Sequence, residues 1–185
     1  MSNDALGKTL LALARASIAH HFGAPMPEAV ATPEYIRMQQ PGACFVTLTK
    51  QGRLRGCIGT LEAWRALQDD VRENALAAAF RDPRFPPLSA TELAETRVEV
   101  SLLSSPQPMT FSCESDALAQ LQPGLDGIVL EHAGHRATFL PQVWEQLPEP
   151  VQFMAHLKQK AGLPAEFWSD NIRLSRYRVE KWKEA

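Results

Sequence analysis

The chain has 185 residues, 45% apolar and 22% charged, with a formal net charge of −2. That composition suits one folded domain or two small lobes and excludes the disordered class. So small a net charge supplies no global field for nucleic acid or an anionic membrane, and no apolar run approaches the length that spans a bilayer. The start, Met1-Ser2-Asn3-Asp4, carries no basic-then-apolar leader, so the expected location is cytoplasmic. Cys44, Cys57 and Cys113 make an odd count without C-x-x-C spacing. Free thiols in a reducing compartment are expected, not a disulfide framework or structural zinc.

In chain order, Leu6, Leu10, Leu13, Ala14 and Ile18 recur at helical spacing and predict a helix over 4–22, stopped at Gly23. Pro25, Pro27, Pro33 and Pro41 make 24–42 a loop with a short helical turn near 34–38. Two β-prone runs, 43–49 and 54–59, flank Lys50-Gln51-Gly52-Arg53 and predict an antiparallel hairpin. Leu67, Val71, Ala75 and Ala78 predict a helix over 65–80, ended by Asp82-Pro83. Alternation of Val98, Val100 and Leu102 with charged and polar residues predicts a half-buried strand at 96–103.

Beyond a Pro-containing hinge at 104–110, a short helix is expected at 115–122 and a second hairpin at 127–131 and 135–140. Helices are expected at 141–146 and 150–161. A last strand is expected over 172–179, irregular between Leu174 and Tyr177. Helices mixed with hairpins, without βαβ alternation, define an α+β fold with antiparallel sheets. The expected larger lobe is 1–103 plus 150–185, and the smaller lobe is 104–149.

The centre of interest is Leu54-Arg55-Gly56-Cys57-Ile58-Gly59. On a regular strand Leu54, Gly56 and Ile58 share one face, and Arg55 and Cys57 the other. A guanidinium beside a thiol favours the thiolate, the nucleophilic and redox-active form. The alternative is a small buried cysteine in a packed strand. In Arg81-Asp82-Pro83-Arg84-Phe85, two guanidinia flank a carboxylate. Arg84 can fork onto an anionic ligand, or Asp82 can pair with Arg81 or Arg84 while Phe85 plugs the core.

His132 and His135 face each other across a tight hairpin beside Glu131, but a metal site needs a third ligand that the sequence does not display. No metal and no cofactor are assigned, and no residue is assigned as a base for Cys57. The basic and aromatic C-terminal mixture of Arg173, Arg176, Tyr177, Arg178, Lys181 and Trp182 reads as exposed edge-strand chemistry, not a nucleic-acid surface.

The hexapeptide, the block Ala78-Ala79-Phe80-Arg81-Asp82-Pro83-Arg84-Phe85-Pro86-Pro87-Leu88, and Gly127-Ile128 with Phe139-Leu140-Pro141-Gln142-Val143-Trp144 resemble the three signature blocks of the AMMECR family. The likeness covers nearly the whole chain and is greatest to the prokaryotic branch named for the AmmeMemoRadiSam system. One departure is Lys158, in a stretch where many relatives resemble Leu-Cys-x-Lys-Ala-Gly. The resemblance implies a two-lobed α+β fold with a cleft near the hexapeptide. It also implies association with a Memo-like protein and a radical-SAM protein, and no settled activity.

Two functional readings follow. In the first, a cleft binds a small anionic ligand or a modified residue, with Arg55, Gly56, Gly59, Arg81, Asp82 and Arg84 lining it and Cys57 as the reactive group. In the second, the cleft is a non-catalytic module for a Memo-like or radical-SAM partner, and Cys57 is packing.

Overall fold

A computed structural model describes residues 3–28 and 31–185. The chain divides into two compact units, Met1–Leu103 with Glu180–Ala185, and Ser104–Val179. Both are mixed helix and sheet, so the α+β class holds.

The first unit contains α1 (Asn3–His21), α2 (Pro33–Met38), β1 (Ala43–Lys50), β2 (Arg53–Gly59), α3 (Leu67–Phe80), α4 (Ala90–Glu95) and β3 (Thr96–Leu103). Its sheet runs β2-β1-β3-β8, with β8 (Val179–Lys183) supplied by the chain terminus. Gln51 and Gly52 at the β1–β2 turn both have positive φ, 52° and 75°, the pair that a two-residue hairpin loop requires. Cys44, Val46 and Leu48 of β1 and Val98 and Val100 of β3 point to one face and are fully buried. Leu10, Ala14 and Ile18 of α1 and Val71, Ala75 and Ala78 of α3 complete that core. The small residues of α3 let it lie close: a Cβ at Gly56 would stand 2.1 Å from the Ala78 carbonyl oxygen. The helices α1 and α3 pack on this face, α2 packs on both of them and α4 packs on α1 and β3, so among the described residues no helix of the unit lies on the opposite face.

The helix α4 is an addition to the predicted elements. Its N-terminus is a capping box, in which the Ser89 hydroxyl accepts from the Glu92 N–H and the Glu92 carboxylate accepts from the Ser89 N–H. At the start of α3, the fully buried Asp70 carboxylate accepts from the Cys44 N–H (2.8 Å), the Thr60 hydroxyl (2.7 Å), Arg65 Nε (2.8 Å) and Asn74 Nδ2 (3.0 Å). That network ties the helix to β1 and to the end of β2, and leaves neither carboxylate oxygen unpaired.

The second unit contains β4 (Gln107–Pro108), α5 (Glu114–Ala119), β5 (Gly127–His132), β6 (His135–Phe139), a 3-10 turn at Pro141–Glu145, α6 (Pro150–Lys160) and β7 (Arg173–Tyr177). Its sheet runs β4-β7-β5-β6. Ile128, Leu130 and Leu174 pack with Phe153, Met154 and Leu157, and Trp144 stacks on Phe153 with centroids 3.7 Å apart. Lys158 is buried among them, 2% exposed, and donates to Glu114 and to the Ala165 carbonyl, with the Trp168 ring 5.5 Å away. The residue that departs from the resemblance is therefore a satisfied core cation.

Two expectations are corrected. The predicted strand at 172–179 is two strands, β7 and β8, one in each sheet, with the break at Arg178. And 150–179 belongs with 104–149, not with the first lobe, because α6 packs on β6 and α5 while β7 pairs with β5.

Candidate functional site

The hexapeptide lies on β2, the edge strand of the first sheet. Leu48 pairs with Gly56 and Thr49 with Leu54, which leaves Arg55 as the extra residue of a β-bulge. The bulge breaks the alternation on which the sequence reading depended. Gly56 and Ile58 pair with core-facing Leu48 and Val46, whereas Cys57 pairs with Thr47 and turns to the helix-free face.

Arg55 does not join Cys57 there. It is 9% exposed and forks onto Glu92 of α4, with Nε to Oε1 at 3.2 Å and Nη2 to Oε2 at 3.1 Å. Lys50 also reaches Glu92, at 3.5 Å, and Glu95, at 3.0 Å. Arg55, the Ser89 N–H and Lys50 together pull the Glu92 carboxyl down to about 2. The expected pairing of Arg55 with Cys57 is thus replaced by an ion pair on another element.

The charged group next to Cys57 is Arg84. Asp82, 4% exposed, accepts from the Cys57 N–H at 2.9 Å and from Arg84 Nη2 at 2.7 Å, Nε at 3.0 Å and N–H at 3.1 Å. Arg84 Nη2 in turn donates to the Cys57 carbonyl at 3.3 Å. One carboxylate and one guanidinium thus satisfy both outward groups of an edge-strand residue, as a neighbouring strand would. This also blunts the edge against pairing with another chain. The Arg84 hydrogen bond holds the Asp82 carboxyl well below the usual carboxylate range, and backbone donation from Cys57 and Arg84 adds to it. Arg84 is raised, first by Asp82 and more weakly by Cys57. Phe85 sits between the two arginines, 5.9 Å from the Arg55 guanidinium and 5.6 Å from that of Arg84.

Arg81 points elsewhere, to Glu73 at 3.1 Å. All three arginines expected to anchor an anion are therefore held by a carboxylate. Gly56 and Gly59 are explained by packing: a Cβ at Gly59 would meet the Phe45 ring at 2.2 Å.

What packing leaves over is the Cys57 thiol. It is half-buried on the helix-free face, and the Thr47 hydroxyl donates to its sulfur at 3.2 Å. Beyond Thr47, in register on β3, comes Glu99. Cys57, Thr47 and Glu99 thus form a row across three strands. The sequence reading named neither Thr47 nor Glu99. The signal for Thr47 was its alternation with Val46 and Leu48, but the register that sets Glu99 opposite it is tertiary. The other thiols differ. Cys44 is fully buried, and burial together with Asp70 pushes its pKa up. Cys113 is exposed in the second unit, and hydrogen bonds from Ser115, the Asp116 N–H and Ser112 lower its pKa. Among the described residues no group of three or more His, Cys, Asp or Glu is placed to hold a metal. His135 Nδ1 is engaged with the Ala161 carbonyl at 2.8 Å, and His132 packs on Phe167. Among the described residues no helix is long and apolar enough to cross a membrane.

The family model described as AMMECR1 matches residues 11–182. A protein of Methanothermobacter thermautotrophicus is 35% identical over 184 residues, covering 96% of this chain and 94% of its own length. A Thermotoga maritima protein is 38% identical over 153 residues, with 82% of each chain covered. The crystal structure of an uncharacterized protein from Pyrococcus horikoshii superposes with a TM-score of 0.75 at 28% identity, over 97% of this chain and 91% of that one. The hexapeptide on its bulged edge strand and the Asp82–Arg84 clamp therefore lie within the matched region of a chain that belongs to the AMMECR1 family.

Proposed function

We propose that the protein binds a small ligand or a modified residue on the helix-free face of its first sheet, with Cys57 as the reactive or recognition group. The observation that carries this reading is one of elimination. Arg55, Gly56, Gly59, Asp82 and Arg84 each have a packing or pairing role that positions β2, and the Cys57 side chain is what they present. The Thr47 hydroxyl donates to the sulfur, and the Arg84 guanidinium beside the strand donates to the Cys57 carbonyl, so both hold the residue in place. If a reaction occurs, it is attack by the Cys57 thiolate on an electrophile, with the thiol proton released to solvent or to the ligand.

The test is electrophile labelling of the folded chain, read by intact mass and peptide mapping, with Cys113→Ser removing the competing exposed thiol. One adduct at Cys57 is expected, with Cys44 unmodified until unfolding, and Thr47→Val should change the labelling rate at least threefold. An absence of Cys57 adduct before unfolding would overturn the reading.

A second reading takes the same sheet face as a docking surface for a partner such as a Memo-like or radical-SAM protein, with Cys57 as filler. Cys57→Ser separates the two, since it abolishes ligand chemistry under the first and leaves partner capture intact under the second.

A further inference from the structure

Three helices of the first unit leave a gap between them, on the side of the sheet that Cys57 does not face. From α1 come Thr9, Ala12, Leu13 and Ala16, a stripe at i, i+3, i+4 and i+7. Tyr35 and Met38 of α2, with Gln68 and Arg72 of α3, supply the other walls. Met26, from the chain between α1 and α2, adds a second thioether. The cavity holds about 240 Å3, and the alanines at 12 and 16 keep α1 from filling it.

Its polar groups separate into used and unused ones. The Thr9 hydroxyl donates to the Ala5 carbonyl, the Thr32 hydroxyl accepts from the Tyr35 N–H, and the Gln68 amide donates to Gln39. Arg72 is different, because its Nε is shielded from water and has no acceptor. Asp69 reaches Arg72 Nη1 only at 3.5 Å, with both side chains about half exposed. The Tyr35 hydroxyl also has no hydrogen-bond partner among the described residues.

From these walls we infer a further binding site, for an uncharged aromatic molecule of about ten heavy atoms that carries a hydrogen-bond acceptor such as a carbonyl. The size follows from the volume: a dry cavity of about 150 Å3 takes benzene, so 240 Å3 takes a ring system half as large again. The aromatic body follows from Met26, Met38 and Tyr35, since flexible thioethers mould to a flat ring and a tyrosine stacks on it. The acceptor follows from Arg72, which can only donate and has no bond to break in turning its unpaired Nε to a ligand oxygen. Neutrality follows from the walls together. Neither α1 nor α2 contributes a charged side chain, α3 contributes Arg72 with Asp69 beside it, and the chain before α2 contributes Glu28. An anion would meet Glu28 and Asp69, and a cation would meet Arg72. The site is independent of any role for Cys57.

Methyl-13C methionine labelling of the full chain reads this site directly by NMR. Met26 and Met38 line it, whereas Met109 and Met154 lie in the second unit. Titration with 1-indanone should move the Met26 and Met38 signals saturably, with a Kd of about 0.1–10 mM, and leave Met109 and Met154 still. Ala16→Phe should fill the cavity and abolish the shifts. Should that variant unfold, as far-UV circular dichroism would show, Ala12→Leu, at an exposed position on the same stripe, takes its place. Arg72→Met keeps the aliphatic stem and should raise Kd about fivefold. The matched cation 2-aminoindane and the matched anion indane-2-carboxylate should each bind roughly threefold more weakly, or worse.

The site is overturned by the lack of a saturable Met26 and Met38 shift up to about 20 mM 1-indanone, by equal shifts of Met109 and Met154, or by an unchanged Kd in the cavity-filling variant. The assigned ligand class is overturned by an unchanged Kd in Arg72→Met, or by either charged analogue binding as tightly as 1-indanone.

Discussion

Replacing Asp82 by Asn tests whether the edge of β2 is held by charge or merely by shape. The side chain is isosteric, but one of its two oxygens becomes an NH2 donor. If that is Oδ2, the bonds from the Cys57 N–H and Arg84 Nη2 are lost; if Oδ1, those from the Arg84 N–H and Nε are lost. Two of four bonds disappear either way, together with the charge that compensates Arg84. Hydrogen bonds to a charged group contribute about 1.5–3 kcal/mol each when buried. The Arg84 side chain is 54% exposed, so its share must be discounted for solvent screening. A total cost of about 2–3 kcal/mol at pH 7 results, close to 4–12 °C in Tm for a chain of this size. The cost must also depend on pH. A carboxyl depressed in the folded state contributes stability that is fully present above its unfolded pKa, near 4, and lost as pH falls through the folded value. With the folded value far below 3, about 1.3 kcal/mol of the difference between wild type and Asp82→Asn should vanish at pH 3. Urea unfolding followed by far-UV circular dichroism at pH 7 and pH 3 gives both quantities. Equal costs at the two pH values would refute the charge argument, and a cost under about 0.5 kcal/mol at pH 7 would refute the clamp itself.

Three other outcomes follow from the same geometry. Arg55→Met should destabilise by about 1–2 kcal/mol at neutral pH, a deficit that shrinks as pH falls from about 4.5 toward 2, where the low Glu92 carboxyl protonates; the pH series of urea midpoints checks it, and the Cys57 labelling rate should not move. Gly56→Ala forces backbone against backbone and should cost about 3 kcal/mol, whereas Gly59→Ala meets a ring that can rotate and should cost about 1 kcal/mol, so equal urea midpoints would contradict the close approach of α3. Lys158→Met replaces a buried ammonium by a chain of similar volume, and its melting temperature should correspond to wild-type stability within about 1 kcal/mol or better, while Lys158→Ala leaves a cavity and should cost about 2–4 kcal/mol.

The local patterns specified most elements directly. Helical spacing in α1 and α3, alternation in β3, and turn residues at both hairpins are short-range signals, and each element formed where its signal stood. The helix α4 was also announced, by Ser89-Ala90-Thr91-Glu92, a capping-box sequence lying before a strand rather than before an apolar run. The first functional reading grouped Arg81, Asp82 and Arg84 with the hexapeptide, and of these Asp82 and Arg84 do meet Cys57 while Arg81 turns to Glu73.

What the sequence determined, then, was which residues gather at the edge of the first sheet. Their orientation was decided by the tertiary structure. Arg55 and Cys57 alternate correctly in the sequence, yet one unpaired residue in the β1–β2 ladder sends the guanidinium to Glu92, 37 positions away, and leaves the thiol facing Thr47 and Glu99. The split of 172–183 into strands of two different sheets has the same origin. A bulge and a change of sheet depend on which strand arrives alongside, and such long-range pairing leaves no period in the chain itself.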